Sequence, residues 1–511
     1  MNDSSEQRRG IQGNMVTMQW AAAGRLAVAP GKGRLARGLT QVGIAACLAL
    51  TSASAWADFA RLGALQNQGF AISAEARMLD SGEVLASIDA ERELTPASVT
   101  KAYLAAATLD RFGPQHRFTS QFVTSGSVQE GVLYGDLVFE GGGDPSLTTE
   151  NLWRLVQRLQ QAGVHRVEGS LVVSQWRFGP VTCITSDRCN AQQRVTNAYS
   201  APLSSAGVNF GNWCATVAPS AAGEPARVTL CDGQTSMITI DNQVVTRPAN
   251  SGTEISAERI TDERGDVLRV SGQISTNAAA RDVYRGVSDA AEASAEVISS
   301  MLNQAGVAVS QPWQVSSTRP PSSAQRLAAV DGQPLQEILL RLMNYSNNYM
   351  ADMLALNLVD GPQAQLRQAG AEIENFVSQF PGHGPVTLYS GSGLTTENST
   401  SAHGVTVLLE EMFHRTALFP SYVAAFQSPA NGVMRFIRRG SSTFQNSVMI
   451  KTGTLNQPVT VRALGGYFRT AQGRWGVFSV LVNGTSSTPY LSWSEVLDPL
   501  SLDMDAMILA N

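Results

Sequence analysis

The sequence predicts an α+β fold in which a β-rich segment is inserted into a domain built from both ends of the chain. Three observations lead there. Helical texture appears near residues 98–114 and again from about 325 onward, and short strands and turns fill the stretch between. Candidate antiparallel strands occur both early, near 70–88, and late, near 447–482. Side chains that make chemical sense only together, at Ser98 and Ser346, lie about 250 residues apart, more than one domain's usual connection absorbs.

The first segment reads as a targeting signal. Arg25, Lys32, Arg34 and Arg37 form a basic region, Leu39 to Leu50 a short apolar run, and Ala55-Trp56-Ala57 a cleavage site of the A-x-A type. Cleavage there makes residues 1–57 a signal peptide and Asp58 the mature N-terminus. The basic region is long, so Met15 or Met18 is a candidate start. A lipoprotein site at Ile44-Ala45-Ala46-Cys47 is the rival reading, weakened by the short apolar run before the cysteine. No other apolar stretch is long enough to span a bilayer, so no transmembrane anchor is expected after cleavage.

Phe70 to Ile88 reads as a hairpin with its turn at Asp80-Ser81-Gly82. A helix follows from Ser98 to the stop at Phe112-Gly113-Pro114, with Thr95 as its cap and Pro96 in its first turn. Strands are expected at 121–126, 131–139 and 169–173, and a helix from Thr148 to Ala162. Gly141-Gly142-Gly143-Asp144-Pro145 is a tight turn: neither G-x-G-x-x-G before a helix nor G-K-[ST] is present. Residues 180–275 are strand- and loop-rich, 288–305 helical, and Thr318 to Ser323 a linker. Pro334 to Leu340 is helical. Ser447-Val448-Met449-Ile450 begins a strand that runs into Lys451, and Val459–Phe468 and Trp475–Val482 complete a meander. The expected division is 58–118 and 325–511 for the helix-and-sheet domain and 119–324 for the insert, as one or two domains.

Composition narrows the function. Charged residues are 15% and hydrophobic ones 43% of 511, which fits a globular chain with a sizeable core. A net charge of −5 and the lack of a basic tract interleaved with aromatics argue against nucleic acid. Beyond the signal four cysteines remain, Cys183, Cys189, Cys214 and Cys231. An even count in an exported chain points to two disulfides, and proximity favours Cys183–Cys189 and Cys214–Cys231. Zinc is the competing reading, with no histidine close in sequence to any of the four. The five histidines show no metal spacing, and Gly391-Ser392-Gly393 does not complete G-x-S-x-G, so it reads as a loop.

The chemistry centres on Ser98-Val99-Thr100-Lys101. Residues three apart on a helix share a face, so the Ser98 hydroxyl and the Lys101 amine can meet. An amine kept neutral by burial can take the serine proton. Alone, S-x-x-K is a common chance pattern. Ser346-Asn347-Asn348 and Lys451-Thr452-Gly453-Thr454 then supply S-x-N and K-T-G in the order this chemistry uses. Taken singly, the first is readable as a helix cap and the second as a strand end; their joint occurrence in order carries the signal.

With these motifs the chain resembles the class C low-molecular-mass penicillin-binding proteins, the D-alanyl-D-alanine carboxypeptidase/endopeptidase family (peptidase family S13). The likeness also rests on Gly135-Asp136-Leu137, Gly142 to Leu147, Tyr345 and Gly391 to Leu394. It implies a serine β-lactamase/transpeptidase-like domain, an antiparallel sheet flanked by helices, carrying a large insert. It further implies a periplasmic hydrolase acting on peptidoglycan stem peptides, inhibited by β-lactam antibiotics, with no cofactor or metal. In that reading Ser98 is the nucleophile and Lys101 its base. The N–H groups of Ser98 and Thr454 form the oxyanion hole. Ser346 relays a proton to the leaving amine, Asn348 binds the substrate amide and orients Lys101, and Lys451, Thr452, Gly453 and Thr454 hold the terminal carboxylate. Ser390 stands where the family usually has Asp, Ser174 where it has an acid linked to peptide side-chain recognition, and Pro429 to Met434 is a degenerate G-x-D-G-T/S-L. A β-lactamase and a non-catalytic peptidoglycan-binding protein are the alternatives; the long insert argues against the first and the intact motif set against the second.

Overall fold

The computed structural model describes residues 58–185, 189, 198–231, 238–263 and 265–511. The expected signal peptide and the rival lipoprotein site at Cys47 lie outside the described residues.

One five-stranded antiparallel sheet joins the two ends of the chain. Its order is Val448–Leu455, Val461–Arg469, Trp475–Asn483, Ala71–Met78, Val84–Ile88. The early hairpin docks on the late meander with Ala71 opposite Asn483 and Met78 opposite Gly476. Successive side chains in a strand point to opposite faces. Ala463, Tyr467, Val477 and Leu481 therefore enter one apolar cluster with the helices Thr100–Phe112, Leu335–Tyr345, Asn348–Leu356, Leu366–Val377 and Ala402–His414. Leu464, Phe468, Phe478 and Val480 enter another with the C-terminal helix Trp493–Ala510. Burial on both faces explains why these strands read as near-continuous apolar runs rather than clean alternations.

The intervening segment builds sheets of its own. Leu137–Glu140 and Leu171–Ser174 pair in parallel, with the helix Thr149–Gln161 as the crossover, and Gln314–Ser316 adds a further parallel strand. Two three-stranded sheets follow, one of Arg227–Leu230, Asn212–Ala218 and Arg281–Gly286, the other of Ile238–Arg247, Gly265–Ser275 and Glu254–Asp262. The helix Ala290–Gln304 packs into the same apolar cluster as these sheets. Cys183 bonds Cys189 and Cys214 bonds Cys231. Among the described residues no helix is long and apolar enough to cross a membrane.

Three local expectations change. The helix after Ser98 is preceded by a short 3-10 turn, Ala97–Val99, and Thr95 does not cap it. Asn483 clamps Thr95 instead, its Oδ1 accepting from the Thr95 N–H at 2.8 Å and its Nδ2 donating to the Thr95 carbonyl at 3.0 Å, while the Thr95 hydroxyl donates to the Thr396 carbonyl. Tertiary partners outcompete the local cap. The expected strand at 131–139 is two, Val132–Tyr134 and Leu137–Glu140, in different sheets. Residues after 324 do not return at once to helix: Gln325–Asp331 is a strand paired with Thr119–Thr124 at the end of the sheet that holds Leu137–Glu140, and helix resumes at Leu335.

Asp144 lies in the turn after the glycine run, 2% exposed, accepting from the Ser146 N–H and hydroxyl at 2.8 and 2.6 Å. Burial pushes its carboxyl up to about 6 from 3.8, against the opposing pull of those bonds. The folded state thus binds this proton more tightly than the unfolded state. Its stability contribution is fully present below pH 3.8 and is lost as pH rises through about 6, on the order of 3 kcal/mol at neutrality. Asp144→Asn keeps an acceptor for Ser146 and removes the charge. Its melting temperature is expected above that of the parent chain at neutral pH, with the difference vanishing below about pH 4 in a pH series of thermal melts.

Candidate active site

The three motifs converge. Ser98 leaves the 3-10 turn half-buried, and Lys101, one helical turn on, is completely buried. Lys101 Nζ lies 2.9 Å from Ser98 Oγ, 2.8 Å from Asn348 Oδ1 and 2.6 Å from the Ser392 carbonyl oxygen. Asn348 opens the helix Asn348–Leu356, and its Nδ2 donates to the Tyr199 carbonyl at 3.2 Å. The helix-cap reading of S-x-N belongs to its middle residue: Asn347 Oδ1 accepts from the Met350 N–H at 2.9 Å. Ser346 and Asn348 are thereby free to face the site. Ser346 ends the helix Leu335–Tyr345 in the left-handed region at φ 51°, and Ala97, just before the nucleophile position, sits there at φ 45°. Such backbone costs about 1–3 kcal/mol for a residue with a Cβ and persists only where surrounding contacts impose it.

Lys451, on the edge strand Val448–Leu455, is also completely buried. Its Nζ donates to Ser346 Oγ at 2.9 Å and to the Thr452 carbonyl at 2.6 Å. Burial first, and then the charge of Lys101, hold the Lys451 amine well below its ordinary value. The strand's outer edge faces Ser98. Ile450 exchanges both backbone bonds with Gln427 on that edge. In an antiparallel ladder alternate residues turn the same way, so the N–H groups of Thr452 and Thr454 point outward too. Gly453 is what allows the approach: a Cβ there would lie 2.5 Å from the Pro96 carbonyl oxygen and 2.9 Å from the Ser98 nitrogen. Thr454 is exposed, and its hydroxyl oxygen accepts from Trp493 Nε1 at 3.2 Å. Indole N–H only donates, so the Thr454 proton remains available for a partner in the site.

Sequence reasoning missed four supports. The Ser392 carbonyl is brought to Lys101 by a loop that crosses Ala97 closely; at Gly393, φ 73°, a Cβ would lie 1.9 Å from the Ala97 carbonyl oxygen. Asp352, fully buried, fixes that loop by accepting from the Ser392 N–H at 2.9 Å. Tyr199 and Trp493 are the others. The paired glycines of Gly391-Ser392-Gly393 were the available signal, since they mark close backbone approach; nothing local marks Asp352, Tyr199 or Trp493. The departures at Ser390 and Ser174 have local partners. Ser390 Oγ accepts from the Gly393 N–H at 3.1 Å, and Ser174 Oγ donates to the Thr318 carbonyl at 3.0 Å.

A serine hydroxyl against a buried amine, a second serine–amine pair and an outward strand edge, on a helix-flanked antiparallel sheet, make up the architecture of the penicillin-recognising serine enzymes. The chain belongs to the D-Ala-D-Ala carboxypeptidase 3 (S13) family, whose profile matches residues 57–498. It is 28% identical over 443 residues to a D-alanyl-D-alanine carboxypeptidase of Actinomadura sp. (strain R39), covering 82% of this chain and 78% of that protein. It is 24% identical over 429 residues to the D-alanyl-D-alanine carboxypeptidase DacB of Haemophilus influenzae, covering 81% and 85%. The crystal structure of penicillin binding protein 4 (dacB) from Haemophilus influenzae superposes with a TM-score of 0.68 at 20% identity, covering 87% of this chain and 98% of that one, which establishes the shared fold.

Gly453→Ala drives a methyl into the Pro96 carbonyl and must push the strand edge off the Ser98 turn. Displacement of about 1 Å between reacting groups costs on the order of 100-fold. Acylation by benzylpenicillin, followed by stopped-flow fluorescence, is expected to slow by that order while circular dichroism stays that of the parent chain.

Proposed function

We propose that the chain is a serine-type D-Ala-D-Ala carboxypeptidase acting on peptidoglycan stem peptides through a Ser98 acyl-enzyme. Endopeptidase action on cross-links is the second activity of the same site, and β-lactams acylate the same serine. The observation that carries this is the trio of contacts at Lys101. Asn348 Oδ1 and the Ser392 carbonyl can only accept, so they take two N–H groups of the amine. Burial disfavours the charged form of an amine, and a neutral amine 2.9 Å from Ser98 Oγ is placed to take the Ser98 proton.

Ser98 Oγ attacks the carbonyl carbon of the penultimate D-alanine as its proton passes to Lys101. The N–H groups of Ser98 and Thr454 receive the developing oxyanion; one such donor is typically worth about 2.7–4 kcal/mol. The peptide C–N bond breaks, and the departing amine takes a proton through Ser346, which Lys451 holds at hydrogen-bonding distance. Asn348 aligns the scissile amide. Lys451, Thr452 and Thr454, with Gly453 letting the strand edge approach, hold the terminal carboxylate. Water, activated by Lys101, then attacks the ester carbon, and the ester C–O bond breaks to restore Ser98. The names of the two curated relatives support a D-Ala-D-Ala peptide as substrate. The A-x-A site at Ala55-Trp56-Ala57 and the paired cysteines support export to the periplasm. The same reading divides the chain into a catalytic part from both ends and an inserted part between them.

Intact mass after exposure to benzylpenicillin is expected to show one adduct on the purified chain and none on Ser98→Ala. An adduct that persists on Ser98→Ala overturns the assignment. Consumption of the drug without a lasting adduct on the parent chain supports the β-lactamase alternative instead.

Acidification is expected to slow acylation, because protonating the amine removes the base. The charge coupling between the lysines acts in both directions. Lys451→Met removes a positive neighbour, so Lys101 keeps its proton to higher pH. The acid limb of the acylation rate is therefore expected to move to higher pH in Lys451→Met, beyond any uniform loss of rate.

A further inference from the structure

A cavity of about 550 Å³ lies where the insert meets the far ends of the two helices that begin beside Lys101 and at Asn348. Phe112 ends the helix that begins beside Lys101, and Asn357 follows the helix that begins at Asn348; both line it. That helix of nine residues puts about 13 Å between the Asn348 end and the cavity wall. The volume is that of a small-molecule site.

Its lining is cationic. Arg117, Arg158, Arg177 and Arg326 all face it, against two carboxylates, Glu140 and Asp331. Both carboxylates are engaged by neutral donors: Glu140 accepts from Trp176 Nε1 and from Gln121 Nε2, each at 2.6 Å, and Asp331 from the Thr119 hydroxyl at 2.7 Å. Among the described residues no carboxylate lies within 4.0 Å of any of the four guanidiniums. A fifth arginine, Arg319, stacks on the Trp176 ring at 4.4 Å; its charge opposes that of Arg177, which the Glu140 and Asp360 carboxylates favour.

Ordinary packing accounts for part of this. Arg117 donates to the Gly332 carbonyl at 2.7 Å, Arg158 to the Ala329 carbonyl, and Arg177 to Asn357 Oδ1 at 3.2 Å. Those acceptors are neutral, so they fix the side chains without offsetting the charge. Arg177 Nε is buried with no acceptor. An unmet buried donor costs about 1–3 kcal/mol, and like charges gathered around a void add repulsion. His116, on the same wall, is held below its ordinary value by burial and then by the Arg177 charge, which reports the same positive field. Guanidinium forks match the paired oxygens of phosphates and carboxylates, and an oxyanion among them would offset the repulsion.

We propose that this cavity is a binding site for a compact polyanion carrying phosphate or clustered carboxylate groups, separate from the acyl-transfer site. The inference stands apart from the catalytic reading, since no residue assigned to the chemistry lines the cavity.

Isothermal titration of the purified chain with inorganic pyrophosphate and with citrate, at matched ionic strength, tests it. Saturable one-to-one binding of either probe is expected, weakened by roughly tenfold or more in Arg177→Gln and in Arg326→Gln, with benzylpenicillin adduct formation unchanged. Preference for pyrophosphate assigns a phosphate ligand, and preference for citrate a carboxylate one. If Arg177→Gln fails to fold, Arg326→Gln, which alters an exposed side chain, decides. No saturable binding up to about 10 mM of either probe, or binding undiminished in the folded variants, overturns the proposal.

Discussion

Two lysine amines with no solvent exposure, Lys101 and Lys451, are the constraint around which this structure is arranged. Removing an amine from water is costly unless acceptors replace the water. Lys101 finds them on three separate stretches of chain: Ser98 on its own turn, Asn348 on a helix about 250 residues later, and the Ser392 carbonyl on a loop beyond that. Lys451 takes Ser346 and its own strand. No local segment supplies such a set, so the burial of these amines and the docking of the chain's two ends are one event. Burial, and then the charge of Lys101, hold the Lys451 amine well below its ordinary value.

Backbone proximity does as much as side-chain identity. The K-T-G strand edge reaches the Ser98 turn because Gly453 has no side chain, and the Ser392 carbonyl reaches Lys101 because Gly393 crosses Ala97 where a Cβ would collide. Left-handed backbone at Ala97 and Ser346 is tolerated between these fixed neighbours. Asn483 adds a clamp from the sheet to Thr95, three residues before the nucleophile position, and so ties the turn to the sheet. The segment between the two ends takes part as well, through the Tyr199 carbonyl that accepts from the Asn348 amide.

Much of this was legible beforehand, for identifiable reasons. The hairpin at 71–88, the meander after Lys451 and the helix stopping at Gly113 follow from alternation, turn residues and stop signals that act within a few residues. The side chains that meet around Lys101 and Lys451 were legible because the spacing within S-x-x-K and S-x-N and the order of the three motifs are chemical requirements. Misread positions involve contacts at long range. Thr95 has the composition of a cap, but Asn483, 388 positions away, takes its backbone. Gln325–Asp331 follows a proline-rich linker and is alanine-rich, yet it becomes a strand because Thr119–Thr124 offers an open edge.

By itself the sequence determined the family, the three motifs whose side chains meet, and that its cysteines suit disulfides; residue type, order and spacing carry that information along the chain. Tertiary structure alone decided what surrounds those groups: the Ser392 and Tyr199 carbonyls, Asp352 beneath the loop, Trp493 on Thr454, and the arginine-lined cavity at the far ends of the two helices. Carbonyls are common to every residue, and charges converge in space without any pattern in sequence. Only the packing of distant segments shows which of them meet.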